Sequence, residues 1–226
     1  MKTTAGSNAD AHYDGIDGID AAFASGHEPV SNFADTAKLA SLESPCQASR
    51  AEVIRIAQIE TPLGPMVAGD YLGKLCLLEF EDSQALEKEI KDLERIHGVP
   101  SNSGRTPVHE ELERQLSEYF EGKRERFDVD LEMQGTDFQL AVWKGLLEIP
   151  FGETRSYRDL ARAIGRPEAV RAVARANGGN RIAIVVPCHR VIGSDGSLTG
   201  YSGGLPRKNA LLQLEKRQTR LVAQPD

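Results

Sequence analysis

Hydrophobic and polar positions divide this 226-residue chain into three stretches of different character. Residues 1 to about 50 are rich in Ala, Ser, Gly and Asp, hold no sustained helical or strand period, and include an acidic repeat from Asp14 to Asp20. Such a segment offers too little apolar surface to offset the entropy of ordering and is expected to form a flexible tail. Periodicity begins at EVIRIAQIETPLGPMVAGDYLGKLCLLEFED. There β-branched residues, the Thr61-Pro62-Leu63-Gly64 turn and the Gly69-to-Gly73 stretch predict successive strands, most simply an antiparallel meander. Ser83 to His97 places Leu86, Ile90, Leu93 and Ile96 at helical spacing, and His109 to Phe120 does the same with Leu112, Leu116, Tyr119 and Phe120. Residues 51–128 therefore read as one α+β module.

A charged link, KRERFDVDLEM, leads to a second module over 135–220, where Phe138, Val142, Leu146 and Leu147 mark a helix ended by Pro150 and Gly152. Two short helices follow, Tyr157 to Ile164 and Glu168 to Asn177, separated by Gly165-Arg166-Pro167. Glycine suits a turn that needs positive φ, and Pro followed by Glu suits a helix start. The spacing is that of a helix-turn-helix, and equally that of an αα-hairpin with no nucleic-acid role.

Next comes an apolar run, Ile182 to Val186, expected as a strand, which ends at Pro187-Cys188-His189-Arg190. A thiol attacks only as thiolate, and an adjacent base or cation lowers its pKa from about 8.5. His189 and Arg190 stand where they could supply both. The same cysteine reads as a small buried hydrophobe if nothing else converges on it.

Composition sets bounds. Forty per cent hydrophobic and 27% charged residues describe an ordinary globular chain with room for two compact domains. No apolar run approaches the roughly 18 residues of a membrane span. The first residues lack the apolar core of a signal peptide, so the expected location is cytoplasmic. Cys46, Cys76 and Cys188 are odd in number and widely spaced, which predicts neither a disulfide framework nor a metal cage. A net charge of −7 disfavours nucleic acid on average. The average hides Arg155, Arg158, Arg162, Arg166, Arg171, Arg175, Arg181 and Arg190 against only Asp159 and Glu168, a local balance of 8 − 2 = +6. Arginine without lysine favours recognition of phosphates or bases over a merely solvated face.

Read together, TDFQLAVWKGLLEIPFGETRSY, LARAIGRPEAVRAVARAN, PCHRVI and GYSGGLPRKNALLQLE closely resemble the O6-alkylguanine-DNA alkyltransferases. The likeness is strong over Thr136 to Glu215, weaker through TPLGPM and LCLLEF, and does not reach the first 50 residues. It implies an RNase H-like amino-terminal domain followed by a winged helix-turn-helix domain, and DNA repair by irreversible, once-only transfer of an alkyl group to Cys188 from O6 of guanine, with O4 of thymine as a further position from which the group is taken.

Carried onto matching positions, the resemblance makes Cys188 the acceptor, His189 the base acting through a bound water, and Glu215 the group that orients His189. Asn180 braces the turn that presents Cys188, and Tyr157 protonates the departing guanine at N3. The carbonyls of Cys188 and Val191 accept from the exocyclic amine, and Tyr201 and Ser202 close the pocket. Arg171 fills the stack vacated by a flipped base, while Arg175 and Ala172 suit a helix laid in the minor groove. The implied partner is duplex DNA carrying O6-alkylguanine, bound by a monomer. No cofactor is expected, and Cys46, Cys76, His97 and His109 do not make a convincing zinc site. A binder that recruits other repair factors, a transcription regulator and a cysteine hydrolase are the competing classes. The presence of Cys188, the lack of a major-groove reading set and the lack of an acyl pocket count against them in turn.

Overall fold

The computed structural model describes residues 52–222, with side chains through Thr219. The expected tail, and Cys46 with it, lies outside the described residues. Strands β1 (Ile54–Ile59), β2 (Met66–Tyr71) and β3 (Lys74–Phe80) form the expected meander, with Ile59 opposite Met66 and Met66 opposite Phe80. The β2–β3 turn sets Leu72 at φ 53° and Gly73 at φ 84°. Two successive positive φ angles are what a tight hairpin of matching twist requires, and Asp70 Oδ1 accepts from the Gly73 amide at 2.8 Å. A fourth strand, β4 (Ser101–Ser103), runs parallel to β1, so the sheet order is β3-β2-β1-β4. Three polar residues carry no alternation by which to foresee it.

Helix α1 (Leu86–His97) covers one face of the sheet, packing Leu86 and Leu93 on Ile54, Val67, Cys76 and Leu77. Helix α2 (Pro107–Phe120) covers the other with Leu112, Leu116 and Tyr119. It begins two residues before the expected His109. Pro107 occupies the first turn, and the Thr106 side chain and His109 cap each other's backbone amides.

The second module packs α3 (Asp137–Leu147), α4 (Tyr157–Ala163), α5 (Val170–Gly178) and α6 (Leu205–Val222). Gly165, in the α4–α5 turn, adopts φ 71° as its residue type suggested. Strands β5 (Arg155–Ser156) and β6 (Val191–Ile192) pair in parallel beside the helix pair. Val142, Trp143, Leu146, Leu160 and Val173 join Met66, Leu78, Phe80 and Tyr119 in one continuous core, so the modules are fused through their apolar interiors.

The outer edge of β3 is where they lock. Leu75 N donates to Asp130 O at 2.8 Å, and Glu132 N to Leu75 O at 2.9 Å, so the charged link also serves as an edge partner. Further along, Leu78 N donates to Arg181 O at 2.8 Å and Ala183 N to Leu78 O at 2.7 Å. An exposed edge would invite another chain; here the protein's own backbone occupies it.

The run Ile182 to Val186 is not the strand its apolar character predicted. After one bridge to Leu78 it turns, with Val185 N on Ala183 O at 2.7 Å and Ile184 at φ 67°. That region is rare for a β-branched residue. All five residues are buried, and a wholly buried apolar run carries no periodicity to separate strand from turn.

Candidate active site

Two tight turns in succession deliver Cys188. The first centres on Ile184, and the second on Pro187, at φ −80° and ψ 61°, closed by Cys188 N on Val186 O at 2.8 Å. Those angles are those of an inverse γ-turn, and proline fixes the φ it needs. A 3-10 turn, Cys188–Arg190, continues into β6. Asn180 supplies what a neighbouring strand would have given. Its Nδ2 donates to Val186 O at 2.9 Å and Ile182 O at 3.3 Å, and its Oδ1 accepts from Ile182 N at 3.1 Å.

Beyond the thiol, His189 and Glu215 are both fully buried, with His189 Nε2 2.9 Å from Glu215 Oε1. The same carboxylate takes the Tyr119 hydroxyl at 2.8 Å, Arg190 Nε at 2.9 Å and the Gly152 amide at 3.1 Å. Burial pushes Glu215 up, but His189 and Arg190 outweigh it and hold it at about 2. The carboxylate is therefore charged, and its neighbour must carry the proton on Nε2. Burial lowers His189, against the pull of Glu215. It is a neutral imidazole, and its Nδ1 has no protein partner.

The thiol departs from the sequence reading. Arg190 does not face it, being committed to Glu215 and, through Nη1 at 2.7 Å, to Ile149 O. Burial raises Cys188 to about 11, with only partial relief from Asn180. Cys188 thus rests as a neutral thiol rather than a preformed thiolate, and activation must come from a base during the reaction.

Tyr157 and Tyr201 both feel the charge of Cys188, whereas Ser202 is exposed and its hydroxyl meets Glu79. Both tyrosines are raised, first by burial and further by that charge on Cys188. Tyr157 donates to Thr199 O at 3.3 Å. Val191 O already accepts from Lys208 Nζ at 2.6 Å. Cys188 O holds the Val191 amide and, at 3.5 Å, Asn177 Nδ2. Sequence reading missed Tyr119, Asn177 and Lys208. Tyr119 looked like helix core, whereas Asn177 and Lys208 are polar residues at buried positions, which only packing reveals.

Arg171 and Arg175 lie one turn apart on α5, both exposed, with Ala172 half-buried between them. They stand apart from the buried cluster, on a helix whose Ala176 carbonyl accepts Trp143 Nε1 at 2.8 Å. Among the described residues no group of His, Cys, Asp and Glu is placed to hold a metal, and no helix is long and apolar enough to cross a membrane.

Two family descriptions match in tandem: the ribonuclease-like domain of 6-O-methylguanine DNA methyltransferase over residues 54–133, and its DNA binding domain over 137–217. The methylated-DNA–protein-cysteine methyltransferase of Mycobacterium tuberculosis strain H37Rv is 48% identical over 167 residues, 73% of this chain and 93% of its own length. The protein of that name from Methanosarcina barkeri is 48% identical over 163 residues, 72% of this chain and 97% of its own. The crystal structure of Mycobacterium tuberculosis OGT in complex with DNA superposes with TM-score 0.63 at 45% identity, covering 73% of this chain and 94% of that one. A hyperthermophilic relative from Pyrococcus kodakaraensis, 24% identical at TM-score 0.54 over 72% of this chain and 99% of its own, shares the fold. With both halves matched in order and nearly half the residues identical across most of a relative's length, this chain belongs to the methylated-DNA–protein-cysteine methyltransferase family.

Proposed function

We propose that this chain repairs O6-alkylguanine in duplex DNA by moving the alkyl group onto Cys188, once per molecule. The observation that carries the reading is a buried neutral thiol followed in sequence by an imidazole whose Nε2 is fixed on Glu215 and whose Nδ1 is open. Sulfur attacks the alkyl carbon, the carbon–O6 bond breaks, and the thiol proton passes to His189 Nδ1 through a bridging water. Glu215 then faces an imidazolium instead of an imidazole, and that charge pair stabilises the transition state in a site with little water.

The departing guanine gains a proton at N3 from Tyr157, which burial keeps protonated and which would exchange Thr199 O for the base. The second lone pair of Val191 O, and Cys188 O once its long contact to Asn177 yields, take the exocyclic amine. Since the reacting carbon is unreachable in stacked DNA, the base rotates out, at a cost of roughly a few kcal/mol. Arg171 occupies the gap while α5 lies in the minor groove, with Ala172 allowing close approach and Arg175 on the backbone. The resulting thioether has no route back to thiol, so the protein is consumed as a monomeric reagent.

Mixing the chain with duplex bearing one radiolabelled O6-methylguanine should transfer label up to one equivalent, and Cys188→Ala should abolish transfer. Label beyond one equivalent, or transfer by the alanine variant, refutes the reading.

A further inference from the structure

Successive cations on α6 hold the segment that carries Tyr201 and Ser202. Lys208, fully buried, donates to Thr199 O at 2.6 Å and Gly200 O at 3.5 Å, fixing the start of that loop. Arg207 fixes its end. Nη1 donates to Gly203 O at 3.3 Å, while Nε reaches Leu63 O at 2.8 Å and the fork closes on Asp82 at 2.7 and 3.0 Å, both in the first module. The guanidinium also lies over the buried Phe80 ring, 4.2 Å from its centre, and Phe80 meets Tyr201 edge-on at 6.4 Å. Gly203 sits so close beneath that a Cβ there would stand 2.5 Å from the Phe80 ring.

A span fixed at both ends cannot rise without breaking one anchor. Lys208 is sealed in the interior, whereas the Arg207 side chain is 17% exposed and its Asp82 partner 66%. The outer anchor is the one that can yield. Cys188 is only 5% exposed, so the space available to an alkyl group on O6 depends on how far this loop stands off the sulfur.

We propose that Arg207 is a specificity-determining residue: by clamping the Tyr201–Gly203 loop to the end of β3 and to Asp82, it limits the size of alkyl group that reaches Cys188. The inference rests on the reading of Tyr201 and Ser202 as the pocket's roof. It assigns to the first module, which supplies neither acceptor nor base, control over substrate range through Leu63, Phe80 and Asp82. Arg207 touches no substrate in this scheme and acts by position, so its effect must appear as a change of selectivity and not as a uniform loss.

The test is single-turnover transfer by the full chain from duplexes carrying O6-methylguanine or O6-benzylguanine, read as the benzyl-to-methyl ratio of rate constants. Arg207→Met keeps an apolar stem over Phe80 and loses the fork; its ratio should rise about five-fold or more, the size of effect expected when one pocket contact is relaxed. Asp82→Asn, on an exposed side chain, should raise the ratio by less, and carries the test alone if the methionine variant does not fold. An unchanged or lower ratio in the folded variants overturns the proposal. Ser202→Phe separates the two layers of the argument. If it lowers the ratio while Arg207→Met leaves it unchanged, the roof stands and the Arg207 clamp falls. If it leaves the ratio unchanged, the roof reading has failed and the proposal falls with it.

Discussion

Tyr119 and His189 meet at one oxygen: the Tyr119 hydroxyl donates to Glu215 Oε1 at 2.8 Å, and His189 Nε2 approaches the same atom at 2.9 Å. Tyr119 lies on α2, in the module that contains neither the acceptor nor its base. The charge relay is therefore assembled from both halves of the chain.

Replacing Tyr119 with Phe removes that donor and leaves the ring's packing in place. A buried hydrogen bond to a charged group contributes roughly 1.5–3 kcal/mol. The urea midpoint should fall accordingly, and methyl transfer should slow by several-fold as Glu215 loses one of its fixings. Wild-type stability in this variant would mean that Arg190 and Gly152 suffice to hold the carboxylate.

Acid should erode stability over two pH windows. Glu215 is held at about 2, well below an ordinary carboxylate, so its contribution is complete above the unfolded value of about 4.3 and is lost as pH falls towards 2. His189 is lowered by burial, so the folded state resists its protonation, and stability begins to fall below about 6.5. Transfer should be steady above neutrality and decline only as pH falls through the lowered value of the folded His189, beneath about 6.5, where the base is protonated. Chemical denaturation from pH 8 to 3, alongside transfer rates, checks both. A transfer rate that rises on acidification would contradict the assignment of His189 as base.

The bare thiol should be sluggish towards a small alkylating agent at pH 7, because its pKa is raised to about 11. Iodoacetamide labelling of Cys188, followed by mass spectrometry, should climb with pH well past 8. A midpoint at or below 7 would mean a preformed thiolate.

Asn180 stands in for a missing strand partner, and Asn180→Ala would orphan Ile182 N in the interior and leave Val186 O with only the Cys188 amide. The expected loss is roughly 1–3 kcal/mol, measurable by urea denaturation. A loss under about 0.5 kcal/mol, the level of an ordinary surface change, would show that the two turns hold themselves.

Arg171→Ala should slow repair of a duplex lesion on the order of tenfold while leaving reaction with free O6-benzylguanine nearly unchanged, since only the duplex needs its gap filled. Equal slowing of both substrates would remove the role.

Much of this was legible in the residues. The meander announced itself through Thr61-Pro62-Leu63-Gly64 and the Gly69–Gly73 stretch, and the helix pair through Gly165, although the second helix starts at Val170 and not at Glu168 behind Pro167, which lie in the turn. Cys188, His189 and Glu215 were found by resemblance, and the structure brings His189 and Glu215 into contact. Three things were not legible. β4 is three polar residues whose pairing is dictated by β1, not by their own pattern. The Ile182–Val186 run is buried on every side, which erases the period that separates a strand from a turn. Arg190, adjacent in sequence to the reactive pair, seemed poised to activate the thiol, yet the 3-10 turn carries it round to Glu215. Neighbours along a chain share a locality, not a direction.

Ala183 is fastened to Leu78 at 2.7 Å only five positions ahead of Cys188, with two tight turns between them. There is almost no slack in that length of backbone. A methyl group added to the sulfur must be housed among atoms already in contact, and displacement travels along the least compliant path, back to the amide pair that closes the edge of the sheet. The fastening thus doubles as a gauge: faster hydrogen exchange at the Leu78 and Ala183 amides would distinguish a spent molecule from a fresh one, without any probe of the cysteine itself.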